Sequence, residues 1–228
     1  MFYYDAYYFI LVIPAMIIAL WAQHKVNSTF KKYSQVRSVR GVTGAYAAQA
    51  VLNHYGITDV RIERVSGKLT DHYDPKSKVI RLSDSVYGSN SVAAIGVACH
   101  EAGHAAQHAE NYIPIKIRNS IVPVCNIGSY LGIPLAIMGL FMGFEPLIYI
   151  GLVLYSLVLV FHLATLPVEF NASRRAIRVI DETQLLYDDE IGGSKKVLSA
   201  AAMTYVASMI VALANLLRIL LRFSNRRR

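Results

Sequence analysis

The run Ser91-Val92-Ala93-Ala94-Ile95-Gly96-Val97-Ala98-Cys99-His100-Glu101-Ala102-Gly103-His104 decides how this chain is read, because an apolar helical segment ends in two imidazoles and a carboxylate. Residues four apart on a helix lie about 40° apart around its axis, so His100 and His104 project from one face and can pinch one metal ion. Glu101 sits one step round, close enough for its carboxylate to reach a water at that ion. The nine residues leading in place the histidines at the end of a buried segment, where unpaired polar groups are costly and a metal satisfies them. Cys99 points about 100° away from His100 and reads as buried packing.

Working outward, the 228 residues are 54% hydrophobic and only 17% charged, a balance that suits membrane spans joined to one small domain. Ala6 to Ala22, Asn119 to Phe144, Pro146 to Val168 and Val197 to Leu217 hold no Asp, Glu, Lys or Arg. Each has about the length that crosses a bilayer core. Fifteen tyrosines, among them Tyr7, Tyr8 and Tyr112 at span edges, fit an interfacial belt together with Trp21. The first stretch lacks a basic residue before it and a small-residue cleavage site after it, so it reads as a retained anchor, residues 1–22. Lys25, Lys31, Lys32, Arg37 and Arg40 follow at once. That asymmetry puts the amino terminus outside and residues 23–118 in the cytoplasm of a cell-membrane protein. A transmembrane hairpin, 119–168, turns at Gly143-Phe144-Glu145-Pro146 and returns the chain to a second basic segment with Arg174, Arg175, Arg178, Lys195 and Lys196. Residues 169–228 complete the chain.

The last apolar stretch fits this scheme less well, since a span there would carry Arg222 and Arg226-Arg227-Arg228 outside. Thr204, Ser208, Asn215, Arg218 and Arg222 recur at helical spacing, which favours an amphipathic helix lying on the protein or the inner membrane surface over a span. The net charge of +8 is explained by basic residues beside membrane spans and anionic lipid, with no nucleic-acid motif. Cys99 and Cys125 suggest no disulfide framework.

Between anchor and histidine helix, Thr43 to Tyr55 has helical periodicity and stops at Gly56. Val60 to Val65 and Lys78 to Leu82 alternate as strands around the turn Asp74-Pro75-Lys76-Ser77. The fold class expected is a mainly α membrane protein with a small α+β cytoplasmic zincin-like domain and a short antiparallel sheet of two to four strands. The strand at Val79 to Leu82 has two readings, an open edge for a substrate backbone or a hairpin packed over the helix. His72 beside the turn reads as a surface residue.

Two histidines leave a tetrahedral site short of its usual three protein ligands. His108 lies about 80° and 12 Å of rise from His100 on a straight helix, too far to share the ion. His162 falls inside a span, an expensive place for an ionisable group. Glu169 follows Pro167 where the hairpin returns to the face of the histidine helix, and is the strongest candidate.

HEAGH with the downstream Glu169-Phe170-Asn171-Ala172-Ser173-Arg174-Arg175-Ala176 resembles the HExxH plus ExxAD pattern of HtpX-type and CAAX prenyl protease gluzincins. The layout of anchor, soluble segment, HExxH, hairpin, Glu motif and terminal apolar helix is similar, over nearly the whole chain, to YugP-type bacterial membrane zinc metallopeptidases. The resemblance implies Zn2+ held by His100, His104 and Glu169, with Glu101 as general base, in an endopeptidase acting on peptide or protein substrates at the cytoplasmic membrane surface. Ser173 stands where those relatives carry Asp, and its hydroxyl offers a weaker bond to orient a zinc histidine. His162, an arginine of the Arg174 to Arg178 cluster and a tyrosine are candidate oxyanion donors. Gly103, costing about 1 kcal/mol in a helix, implies a close neighbour. The competing class is a non-catalytic zinc-binding membrane adaptor or sensor, against which the open position beside Glu101 argues. Oligomeric state and physiological substrate are not written in these residues.

Overall fold

The computed structural model of the chain describes residues 5–226, so Met1 to Tyr4 and the terminal Arg227 and Arg228 lie outside the described residues. Nine elements follow in order: α1 (Ile13–Tyr33), entered through a π-helical turn at Tyr8–Val12, α2 (Gly44–His54), β1 (Arg61–Val65), β2 (His72–Asp74), β3 (Val79–Ser83), α3 (Val92–Ala109), α4 (Ile113–Met142), α5 (Glu145–Glu182) and α6 (Asp188–Arg226). Two compact units result, one from Met1–Gln23, Ile117–Leu166 and Met203–Arg228, the other from His24–Lys116 and Pro167–Ala202.

The first unit is made of apolar helix. Tyr8–Tyr33, Ile113–Met142, Glu145–Glu182 and Asp188–Ser224 are each long and apolar enough to cross a membrane. Helices α4 and α5 pack where small residues let backbones meet, and a Cβ at Gly132 would come within 2.9 Å of the Tyr155 nitrogen. Ala136, Leu140, Ile148, Leu152, Ile219 and Phe223 form a common core. Ile10, Leu20, Phe141 and Val153 are exposed large hydrophobic side chains. Such a surface is a liability in water and ordinary in lipid, which makes the mainly α membrane architecture the physical solution for this composition.

The polar stripe of α6 has partners inside this unit. Arg218 Nε and Arg222 Nη1 donate to Asp5 Oδ2 at 2.8 and 2.9 Å, and the Arg218 guanidinium lies 4.9 Å from the centre of the Tyr8 ring. Paired in this way, the two arginines are neutralised locally by Asp5, and α6 is one of the four helices long and apolar enough to cross a membrane.

The second unit surrounds a core from α2, β3, α3 and the adjoining parts of α5 and α6, with Val51, Leu52, Ile80, Leu82, Ile95, Ala176, Ile180 and Leu198 all buried. Thr43 caps α2 by accepting from the Tyr46 nitrogen, and Ser91 caps α3 by accepting from the Ala94 nitrogen at 3.2 Å. The sheet corrects the expected antiparallel arrangement. Its strand order is β1-β3-β2, with β3 antiparallel to β2 and parallel to β1. The loop after β1 reverses the chain and sets β2 about two strand spacings away, and the tight turn at Asp74-Pro75-Lys76-Ser77 sends β3 back through the gap. A strand returning there must run parallel to β1. Because β3 is paired on both sides, the first of the two readings of Val79 to Leu82, an open edge, fails, and β1 and β2 form the edges.

Candidate metal centre

Helix α3 supplies His100 and His104, whose ring centroids are 4.7 Å apart at 80°. Glu169 comes from α5, just past Pro167. One ligand atom from each of the three side chains can be chosen so that all lie within 4.8 Å of one another. Glu169 Oε2 is 3.3 Å from His100 Nε2 and 3.6 Å from His104 Nε2, yet it is buried and has no hydrogen-bond partner among the described residues. An orphaned carboxylate oxygen facing two imidazole nitrogens is a convergent set of ligand atoms, and the His/His/carboxylate chemistry fits a divalent zinc ion.

The electrostatics point the same way. Burial pushes the Glu169 carboxyl up, but the two imidazoles facing it outweigh burial and hold it well below the ordinary carboxylate range. Burial also works against a charged His104, and the facing carboxylate of Glu169 overrides it and raises the pKa of the ring.

Close helix packing holds the two halves together. A Cβ on Gly103 would stand 2.8 Å from the carbonyl oxygen of Ala172, so α3 and α5 touch backbone to side-chain-free backbone between the ligands. Two hydrogen bonds then aim the rings. Ser173 Oγ lies 3.1 Å from His100 Nδ1, and Gln107 Oε1 lies 3.0 Å from His104 Nδ1. In both rings the Nε2 atom is left to face Glu169.

The remaining sequence candidates are dispersed. Glu101 is half-buried on α3, one residue beyond His100. Arg174 is exposed, its Nε directed at the Phe170 carbonyl at 3.4 Å. With Ser173, Arg174 lines a cavity of about 630 Å³ whose walls are largely apolar, formed by Phe170, Ile177 and Leu198. His108 Nδ1 meets the Tyr73 hydroxyl at 2.9 Å, and burial together with Asp59 and Asp74 pushes the Tyr73 pKa up to about 12, so the phenol keeps its proton. His162 belongs to the apolar unit, where its ring packs 5.7 Å from that of Phe161. His72 is exposed, with Nδ1 2.8 Å from the Thr70 carbonyl. Cys99 is buried with Sγ 3.7 Å from the Ala47 carbonyl, and burial pushes its thiol up.

Gln107 is the residue that sequence reasoning overlooked. It is completely buried, although a glutamine followed by His108, Glu110 and Asn111 reads as a helix emerging into water. Its position three residues after His104, hence on the same helical side, was the available signal.

Residues 8–224 match the family described as "Putative neutral zinc metallopeptidase". The chain is 47% identical over 217 residues to the "Putative membrane protease YugP" of Bacillus subtilis (strain 168), covering 95% of this chain and 96% of that protein. No solved structure matches.

Proposed function

The chain belongs to the neutral zinc metallopeptidase family, and from that premise we propose a membrane-embedded zinc endopeptidase of the HExxH-plus-Glu kind, with its site at the cytoplasmic membrane surface. The observation that carries the ligand assignment is the buried, unpartnered Oε2 of Glu169 opposite the Nε2 atoms of His100 and His104. Zinc bound there supplies Lewis acidity to the attacking water and the scissile carbonyl.

The chain's own residues divide the remaining work. His100, His104 and Glu169 hold the ion, and Ser173 and Gln107 orient the two rings. Glu101 takes the proton of the attacking water and passes it to the leaving amine, the task of a carboxylate beside, and not on, the metal. Edge strand β2 supports a substrate role in place of β3, since a peptide backbone adds to an unpaired edge. The cytoplasmic orientation rests on the basic residues flanking the spans, Lys25 to Arg40 and Arg174 to Lys196.

The test is zinc content and proteolysis measured together on detergent-purified protein. Glu101→Gln should keep stoichiometric zinc and lose cleavage of an unfolded protein substrate by about 10³-fold or more, allowing for the order of effect expected of a general base. Cleavage equal to wild type removes Glu101 from the chemistry. Zinc bound by a wild type that cleaves no substrate moves the protein to the adaptor class.

A further inference from the structure

We propose that Arg175, Asn171 and Gln107 form a relay of positioning residues that fixes the tautomer of His104 and thereby presents its Nε2 lone pair to the metal. The proposal takes His104 as a ligand from the reading above, but its logic runs from groups whose hydrogen-bonding roles are not open to choice.

Arginine can only donate. Arg175 Nε lies 2.7 Å from Asn171 Oδ1, so that amide atom is the acceptor oxygen. The same Oδ1 is 2.9 Å from Gln107 Nε2, and a backbone carbonyl, which can only accept, lies on the other side of Nε2 at Val168 O, 2.8 Å away. Both hydrogens of the Gln107 amide are therefore spent on oxygens. Its Oε1 must face His104 Nδ1 at 3.0 Å, and an oxygen there accepts only if Nδ1 carries the hydrogen. A neutral imidazole protonated on Nδ1 has its lone pair on Nε2, the atom 3.6 Å from Glu169 Oε2.

The outer end of the relay is itself anchored. The Arg175 guanidinium lies 5.6 Å from the Tyr55 ring centre and 5.9 Å from that of Tyr112, and its Nη1 is paired with Glu110 Oε2 at 2.6 Å. Two aromatic rings and a carboxylate leave the Arg175 side chain little rotational freedom, so the direction of Nε is set. Gln107 is completely buried, and no water-exposed rotamer competes with the one that serves His104. Because Asn171, Arg175 and Glu169 share one helix, the relay ties the orientation of a ring on α3 to the helix that carries the third ligand.

Two readouts test this. Nitrogen-15 NMR of histidine-labelled, metal-free protein in mildly alkaline detergent solution reports the His104 tautomer, whether or not zinc binds. Zinc titration against a chromophoric chelator reports the affinity. Wild type should show His104 protonated on Nδ1; Gln107→Met and Asn171→Leu should shift it toward the Nε2-protonated form and weaken zinc binding by about 10- to 100-fold. Asn171→Asp keeps an acceptor for both Arg175 and Gln107 and should behave as wild type. A His104 protonated on Nε2 in the wild type, an unchanged tautomer in Asn171→Leu, or equal losses in Asn171→Asp and Asn171→Leu would overturn the relay. If Gln107→Met does not fold, the Asn171 pair decides alone. A wild type that shows the Nδ1-protonated ring yet binds no zinc sinks the metallopeptidase reading and leaves the relay standing.

Discussion

Ser173 Oγ sits 3.1 Å from His100 Nδ1, so the hydroxyl of α5 engages one imidazole of the His100 and His104 pair as the Gln107 amide engages the other. As an acceptor a neutral hydroxyl is weaker than a carboxylate would be at this place. Ser173→Ala should weaken zinc binding by about 10-fold, and Ser173→Asp should restore or exceed wild-type affinity. Chelator competition measures both, and an alanine variant with unchanged affinity would show the contact to be idle.

Gly103 lies between the ligands, and two opposing effects meet there. Alanine is favoured over glycine inside a helix by about 1 kcal/mol. Its Cβ, however, would stand 2.8 Å from the Ala172 carbonyl, a backbone atom with no side-chain freedom to yield. Overpacking of this sort costs about 1–3 kcal/mol and should win. Gly103→Ala is expected to lower the thermal midpoint of the metal-free protein and to weaken zinc binding as α3 and α5 separate; a midpoint raised above wild type would mean the helices part freely.

How far these relationships could be read in advance depends on their range. His100, Glu101 and His104 are fixed by helical spacing, a local rule, and Glu169 followed from where the hairpin returns the chain. The parallel pairing of β1 with β3 was hidden because β2, three residues long, separates them in sequence and decides the direction of return. Gln107 was overlooked because a polar side chain at a helix end is far more often solvated than buried, and its partners Val168 and Asn171 lie on another helix. The partner of Arg218 lies 213 residues away, beyond any local pattern.

His108 and Glu169 separate two versions of the site. Glu169 Oε2 faces the rings of His100 and His104, whereas His108 Nδ1 is engaged by the Tyr73 hydroxyl. Glu169→Ala should abolish stoichiometric zinc, and His108→Ala should retain it, as metal analysis of the purified variants will report. Zinc kept by Glu169→Ala and lost by His108→Ala would reassign the third ligand.

Asp5 joins the beginning of the chain to Arg218 and Arg222 near its end, both at hydrogen-bond distance of one carboxylate oxygen. Asp5, ahead of the π-helical turn that leads into α1, and the last turns of α6 therefore meet within the apolar unit. Reporter tags fused at the two termini should accordingly be accessible from the same side of sealed vesicles, and opposite accessibility would return α6 to a surface-lying helix. The pairing also has an energetic signature. Removing the negative partner takes a shared carboxylate from two partly buried guanidinium groups, a loss of about 3–5 kcal/mol where a buried ion pair is broken from one side. Asp5→Asn keeps a hydrogen-bond acceptor and should lose less than Asp5→Leu, with both variants lowering the thermal midpoint in detergent. Equal midpoints for wild type and Asp5→Leu would show that the arginines reach water or lipid headgroups without cost.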